Sequence, residues 1–215
     1  LRWPDKNDHA ANRHNIQPAD AAPLMSMLDS LRRHIIAKLG KQPEQLDEVL
    51  GHFHHRHVRR NDQILRQGEV CAHVYFVVSG CLQVFVYDSN YNETTRDLVL
   101  ENQWCSELMS FGGQKPAAEN IRAIEDTDLL AINFRDFETL MATVPPFGMV
   151  YKQLLEASYA NSVHRINTLV SLTALERMKW LTDNRPSLIQ RVSSKIIASY
   201  LGISQETYSR LKHKL

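Results

Sequence analysis

The residues best suited to chemistry lie near the C-terminal end of the chain. Gln205, Glu206, Ser209 and Arg210 share one face of an expected helix, and Lys212, His213 and Lys214 follow them. A guanidinium can take guanine O6 and N7 as a bidentate pair, and a carboxylate can accept from the cytosine amino group. The lysines and the histidine suit phosphates, so the set is a candidate for reading and gripping double-stranded DNA. Glu206 and Arg210 are also spaced i,i+4, and a surface ion pair is the plainer reading of those two.

A second constellation is His52-Phe53-His54-His55-Arg56-His57. On a strand His55 and His57 share a face while His54 points away. With Asp62 and Gly68 downstream, His55-x-His57 is a loose version of the metal motif of jelly-roll cupins. Asp stands where Glu is expected, and the glycine spacing is short by one. A cupin-like metal-dependent enzyme using the His52–His57 cluster is therefore one alternative. A solvated polar strand is the simpler reading, and no metal is expected. Cys71 and His73 are haem-ligand types, but ordinary strand residues account for them. Three cysteines are too few for an iron–sulfur cluster. No nucleophile–base pair and no Gly-rich phosphate loop supports catalysis, so the expectation is a protein that is not an enzyme and has no cofactor.

The elements that would present the C-terminal residues can be read from the pattern around them. Ser194 to Leu215 forms two helices broken by a tight turn. Ile197, Ala198 and Leu201 make the inner face of the first, and Gly202 sits where a left-handed residue ends it. Ile203 plugs the gap, Ser204 caps the second helix, and Tyr208 and Leu211 face back inward. The small Ala198 lets the helices cross closely, and Ala-x-x-x-Gly-Ile-Ser is a helix-turn-helix signature. Upstream, Thr173-Ala174-Leu175-Glu176 has the capping-box form and marks a fresh helix to about Asp183, hence a hinge near 172. Residues 173–215 carry eight Lys and Arg against three acids, a net +5 on a chain whose total is +1. A basic C-terminal unit on a body of net −4 is the footprint of a nucleic-acid binder.

After Pro145-Pro146 the period is helical. Leu155, Tyr159, Ser162, Ile166 and Leu169 are spaced 4, 3, 4, 3, a coiled-coil seam suited to a homodimer, widened by Val163 and Val170. Packing on the chain's own barrel is the competing reading. Between 53 and 135 the chain is cut into short β-branched and aromatic runs, Val74–Val78, Leu82–Tyr87, Thr94–Leu100, Asn120–Ile124 and Leu129–Asn133. Such spacing argues a closed antiparallel barrel or jelly roll. A helix over 27–39 buries Leu28, Leu31, Ile35 and Leu39, and a second over 44–51 buries Leu46, Val49 and Leu50. Residues 1–24 hold only scattered apolar side chains and are expected to be a disordered tail or an appended remnant.

The fold class is thus α+β. The units are a tail at 1–24, a barrel at 25–143, a dimerisation helix at 144–172 and a helix-turn-helix domain at 173–215. With 43% hydrophobic and 23% charged residues the composition is that of a globular protein. No run approaches the ~18 apolar residues a membrane span needs. An odd number of cysteines without short paired spacing points to a reducing cytoplasm.

Glu206-Thr207-Tyr208-Ser209-Arg210 resembles the Glu-x-x-Ser-Arg recognition helix of the bacterial Crp/Fnr superfamily. Gln67-Gly68-Glu69 and Val74-Tyr75-Phe76-Val77-Val78-Ser79-Gly80 are similar to that family's cyclic-nucleotide-binding-type barrel. The resemblance spans roughly 28–215 in the family's order of barrel, dimerisation helix and winged helix-turn-helix. It implies a transcriptional regulator that is a homodimer, reads a TGA-type half-site with Glu206, Ser209 and Arg210, and meets RNA polymerase. The sequence ends just after the recognition helix, so the wing is expected to be short or absent. The resemblance also implies an effector pocket at Glu107, Leu108, Lys115, Ala117 and Ala118. There the pattern departs from that of nucleotide-binding members. Cys105-Ser106-Glu107-Leu108 keeps the ribose-binding Glu without the preceding Gly. Ala117 stands in the phosphate-arginine position, with Glu119 adding negative charge nearby. A buried phosphodiester without a cation is a costly charge. Tight cyclic AMP binding is therefore not expected, Lys115 being the one possible substitute and Glu107 a structural residue. A cyclic-nucleotide-responsive regulator is the second alternative, and the small-molecule effector stays unknown.

Overall fold

The computed structural model describes residues 18–212. Positions 1–17 and 213–215 lie outside the described residues. They include most of the expected tail and the expected phosphate contacts His213 and Lys214. Helix α1 spans Pro18–Leu39, so the last residues assigned to the tail, 18–24, are helical. Ala19, Ala21 and Ala22 have high helix propensity, and Pro18 costs nothing in a first turn. Leu31 and Ile35 are buried, with Leu28 and Leu39 packed beside them. Helix α2, Leu46–Gly51, buries Leu46, Val49 and Leu50 as expected.

The barrel is two four-stranded antiparallel sheets. Its strands are β1 His54–Val58, β2 Gln63–Leu65, β3 His73–Ser79, β4 Leu82–Tyr87, β5 Glu93–Val99, β6 Trp104–Cys105, β7 Asn120–Ala123 and β8 Thr127–Asn133. One sheet has the order β1-β8-β3-β6 and the other β2-β7-β4-β5. Helix α3, Leu108–Gly113, interrupts the run between β6 and β7. Val74, Phe76, Val84, Val99, Ile121, Leu130 and Ile132 face one another in the shared core. The β3–β4 turn depends on Gly80, whose φ of +97° is left-handed. A Cβ there would lie 2.7 Å from the Asp126 carbonyl oxygen and collide with Thr127 Oγ1.

Helix α4, Phe134–Thr143, was not apparent in the sequence pattern; Asn133 caps it by accepting from the Asp136 N–H at 2.9 Å. Helix α5, Pro145–Ser171, leaves the barrel and ends where Leu172 turns extended, at the position where the sequence suggests a hinge. Helix α6, Ala174–Asn184, opens with the full Thr173–Glu176 capping box. A short α7, Pro186–Arg191, precedes α8, Ser194–Leu201, and α9, Gln205–Lys212.

Candidate nucleic-acid interface

The helix-turn-helix is built on an apolar interior. Ile197, Ala198, Tyr200 and Leu201 of α8 are buried, and Tyr208 of α9 is 1% exposed against them. Gly202 ends α8 with φ +65°, the left-handed value only glycine adopts cheaply, and the Ile203 N–H then reaches the Ala198 carbonyl at 3.0 Å. Ser204 caps α9: its Oγ accepts from the Thr207 N–H at 3.2 Å. Burial of one face turns the other outward. Gln205, Glu206, Ser209, Arg210 and Lys212 are all exposed. Arg210 donates to Thr207 Oγ1 at 3.2 Å, leaving the i,i+4 ion pair with Glu206 unclosed. Hydrogen bonds from its own N–H and from Ser204 hold the Glu206 carboxyl below its ordinary range, and the Arg210 charge adds to this.

The basic count of this domain divides into two populations. Arg191 makes ion pairs with Glu101, at 2.6 Å, and with Glu125, both on the barrel. Arg185 donates to the Leu98 carbonyl oxygen at 2.8 Å and to the Tyr200 hydroxyl at 3.3 Å. Arg177 reaches the Leu169 and Leu172 carbonyls at the hinge. These three arginines therefore hold the chain together, and the net +5 read from the sequence overstates what faces outward. No sequence pattern separates Arg185 and Arg191 from Arg210, because their barrel partners lie some 66 to 90 residues away.

Docking of the domain is extensive. Ser199 of α8 accepts from the Thr95 N–H at 2.8 Å and donates to the Glu93 carbonyl at 3.1 Å, so α8 lies along β5. Cys81 and Leu98 of the barrel join Met178, Leu181, Leu188 and Ile197 in one buried cluster. Burial pushes the Cys81 thiol up to about 12, with the Glu125 charge adding to the shift. Arg165 of α5 ties three elements: its guanidinium donates to the Tyr200 carbonyl, to Thr95 O at 3.4 Å and to Arg96 O at 3.2 Å, and lies 4.1 Å over the Tyr200 ring. Sequence reading missed this residue.

The seam residues of α5 point outward. Tyr159 is 73% and Ile166 59% exposed, with Leu155 and Leu169 each at 38% and Ser162 also exposed. Leu169 has a second neighbour within the chain: a Cβ on Gly202 would lie 3.1 Å from its Cδ2.

The five expected effector residues differ in their surroundings. Glu107 is 8% exposed and caps α3, accepting from the Ser110 N–H at 2.5 Å. Ala117 is buried in backbone pairing: its N–H donates to Glu69 O, and its carbonyl accepts from the Gly68 N–H, each at 2.8 Å. The Lys115 and Ala118 side chains are exposed. Glu119 pairs with Arg96. Burial raises the Glu119 carboxyl, opposed by the Arg96 charge and hydrogen bond. Only Leu108 of the five lines the large cavity, of about 560 Å³, between the barrel, α1, α5 and the C-terminal domain.

The histidine cluster lies on the barrel surface. His55 Nε2 and His57 Nδ1 each stand 2.9 Å from the same Asp128 oxygen, whose partner oxygen accepts from Ser79 at 3.1 Å. The acid that joins the histidines is thus Asp128 on β8 and not Asp62. Among the described residues, no group of three His, Cys, Asp or Glu side chains is arranged to hold a metal ion. No described helix is long and apolar enough to cross a membrane.

Residues 55–144 match the family described as "Cyclic nucleotide-binding domain". The chain is 26% identical over 181 residues to the "Cyclic AMP receptor protein" of Thermus thermophilus, covering 82% of this chain and 83% of that protein. Among solved structures it is similar to FixK2 from Bradyrhizobium japonicum, with a TM-score of 0.65, 18% identity, and 76% and 84% of the two chains covered. The regulator CLP of Xanthomonas campestris superposes with a TM-score of 0.64 at 19% identity, over 79% and 89% of the two chains. Residues 55–144 thus match a cyclic nucleotide-binding domain, and the barrel, long helix and C-terminal helical domain around them have the fold of solved regulators such as FixK2 and one described as of the Crp/Fnr family.

Proposed function

We propose that this protein is a sequence-specific transcriptional regulator that binds double-stranded DNA as a homodimer, working in the cytoplasm. The observation that carries the reading is α9. It is a capped helix, anchored by Tyr208, whose outward face presents Gln205, Glu206, Ser209, Arg210 and Lys212 together. Placed in a major groove, Arg210 takes guanine and Glu206 accepts from cytosine, while Lys212 meets phosphate. The exposed stripe Leu155, Tyr159, Ser162, Ile166 and Leu169 is the surface on which two copies pair. Two recognition helices then meet half-sites about one helical turn, ~34 Å, apart on a near-palindromic operator with TGA-type arms. Contact with RNA polymerase converts occupancy into activation, and overlap with a promoter gives repression.

Tight cyclic AMP binding has little support in this barrel. Glu107 is engaged in capping α3, Ala117 offers no cation, and Glu119 brings a carboxylate already matched by Arg96. Selection from random duplex DNA by the purified protein, with no small molecule added, tests the reading. Enrichment of an inverted repeat with TGA-containing arms is expected, and failure to enrich any sequence with or without cyclic nucleotides would overturn it.

A further inference from the structure

The cavity of about 560 Å³ lies within the range of small-molecule sites. Its inner wall is hydrocarbon: Val74, Val84, Val99 and Ile132 come from strands of both sheets, and Val150 and Leu154 from α5. Of the cassette residues carried over from nucleotide-binding relatives, only Leu108 reaches the wall, and it is apolar.

The basic groups of the cavity divide in two, beside the Asp97 carboxylate and polar side chains of α5 such as Ser158 and Asn161. Arg96, Arg165 and Arg185 are engaged with Glu119, backbone carbonyls and Tyr200. At the α1 edge stand His34 and Lys38, one turn apart on the same face. His34 Nε2 accepts from the Trp104 indole N–H at 3.0 Å. Indole only donates, so the neutral imidazole carries its proton on Nδ1 and offers a second donor. Burial, then the Lys38 charge, lowers the His34 pKa and favours this neutral form.

We infer that this cavity binds an amphipathic carboxylate, a long hydrocarbon body held in the barrel against α5 and an anionic head held by Lys38 and His34. Trp180, Arg185 and Tyr200 of the C-terminal domain also line it. The bound molecule therefore touches the barrel, the long helix and the DNA-binding domain at once, and its occupancy biases how they are docked. Leu155, Ser162 and Ile166 edge the same space, so in the proposed dimer the second copy closes that side. The regulatory consequence rests on the function proposed above; the binding itself does not.

Two of the three tryptophans, Trp104 and Trp180, line the cavity, so intrinsic fluorescence of the full chain reads binding directly. Hexadecanoate, kept below its micelle concentration, is expected to give a saturable shift that cyclic AMP does not displace. Lys38→Glu, a surface change, is expected to weaken hexadecanoate at least tenfold and leave hexadecanol unchanged. Val84→Trp is expected to abolish both signals, and Leu154→Trp on α5 serves the same purpose should the barrel variant not fold. The inference is overturned by no saturable shift, by displacement with micromolar cyclic AMP, by Lys38→Glu acting equally on both probes, or by binding that survives both occluding variants. DNA selection run in parallel separates the two readings. A protein that selects DNA but ignores hexadecanoate refutes the ligand alone, and one that binds it but selects nothing refutes the regulator alone.

Discussion

The C-terminal domain has two basic faces made of the same residue types, and they do opposite things. On the barrel side, Arg185 and Arg191 find carboxylates and carbonyls of β5 and its neighbouring turns, and Arg165 reaches across from α5. On the far side, Arg210 and Lys212 meet only their own helix or solvent. A paired, partly desolvated guanidinium holds a structure together, whereas an exposed and unmatched one is available to a polyanion. Net charge cannot tell these apart; the partner does.

The largest effect is expected on the barrel side. Arg165→Ala removes donors from carbonyls of two elements and should destabilise docking by about 1–3 kcal/mol. Cys81, buried in the interface with its thiol pushed up to about 12 by burial, reports the change. Thiol labelling read by mass spectrometry should be slow in the parent and fast in the variant; unchanged protection would mean Arg165 does not hold the domains. On the other face, Arg210→Ala should leave Cys81 protected but cost about 1–3 kcal/mol at the selected operator, relaxing preference at one guanine. A variant that binds that site unchanged would remove Arg210 from base reading.

Acid should loosen the docked face before the fold itself gives way. Burial raises the Glu101 carboxyl, but hydrogen bonds from Arg191 and the Gly80 N–H, with the Arg191 charge, bring it net below its ordinary value. A depressed carboxylate contributes stability at neutral pH and loses it as pH falls through and below the unfolded value of about 4.3. Small-angle scattering should show the two domains separating in that window, and Glu101→Gln should flatten the response. The smallest effect is expected for Lys212→Ala. It should weaken all duplexes alike and lower the salt dependence by about one phosphate contact. Loss of sequence preference in that variant would argue that Lys212 reads a base.

Much of this architecture is legible in the residues. Gly202 and Ser204 declare a helix end and a cap two residues apart, and both stand as expected. Thr173 and Glu176 form a capping box because both partners lie within one turn. The strands of the barrel core follow from their β-branched runs. The effector cassette was less legible. Glu107 is expected to be structural, and its carboxylate closes on the Ser110 N–H three residues away; which of its neighbours face the central cavity was not readable from the cassette. His55 and His57 share a face as the period of a strand demands, but the acid that joins them, Asp128, comes from β8. Helix α4 went unread because its pattern follows a strand without a break, and only the Asn133 cap divides them.

What the sequence determined by itself are the local events: helix caps, turns, the period of each segment and the apolar faces it must bury. These depend on residues within a few positions of one another, where propensity and side-chain geometry act directly. Which arginine faces outward and which faces the barrel, which acid joins His55 and His57, and what lines the central cavity were decided by tertiary structure. Those outcomes turn on partners tens of residues away, and burial gives a charge its meaning only once the chain has chosen what surrounds it.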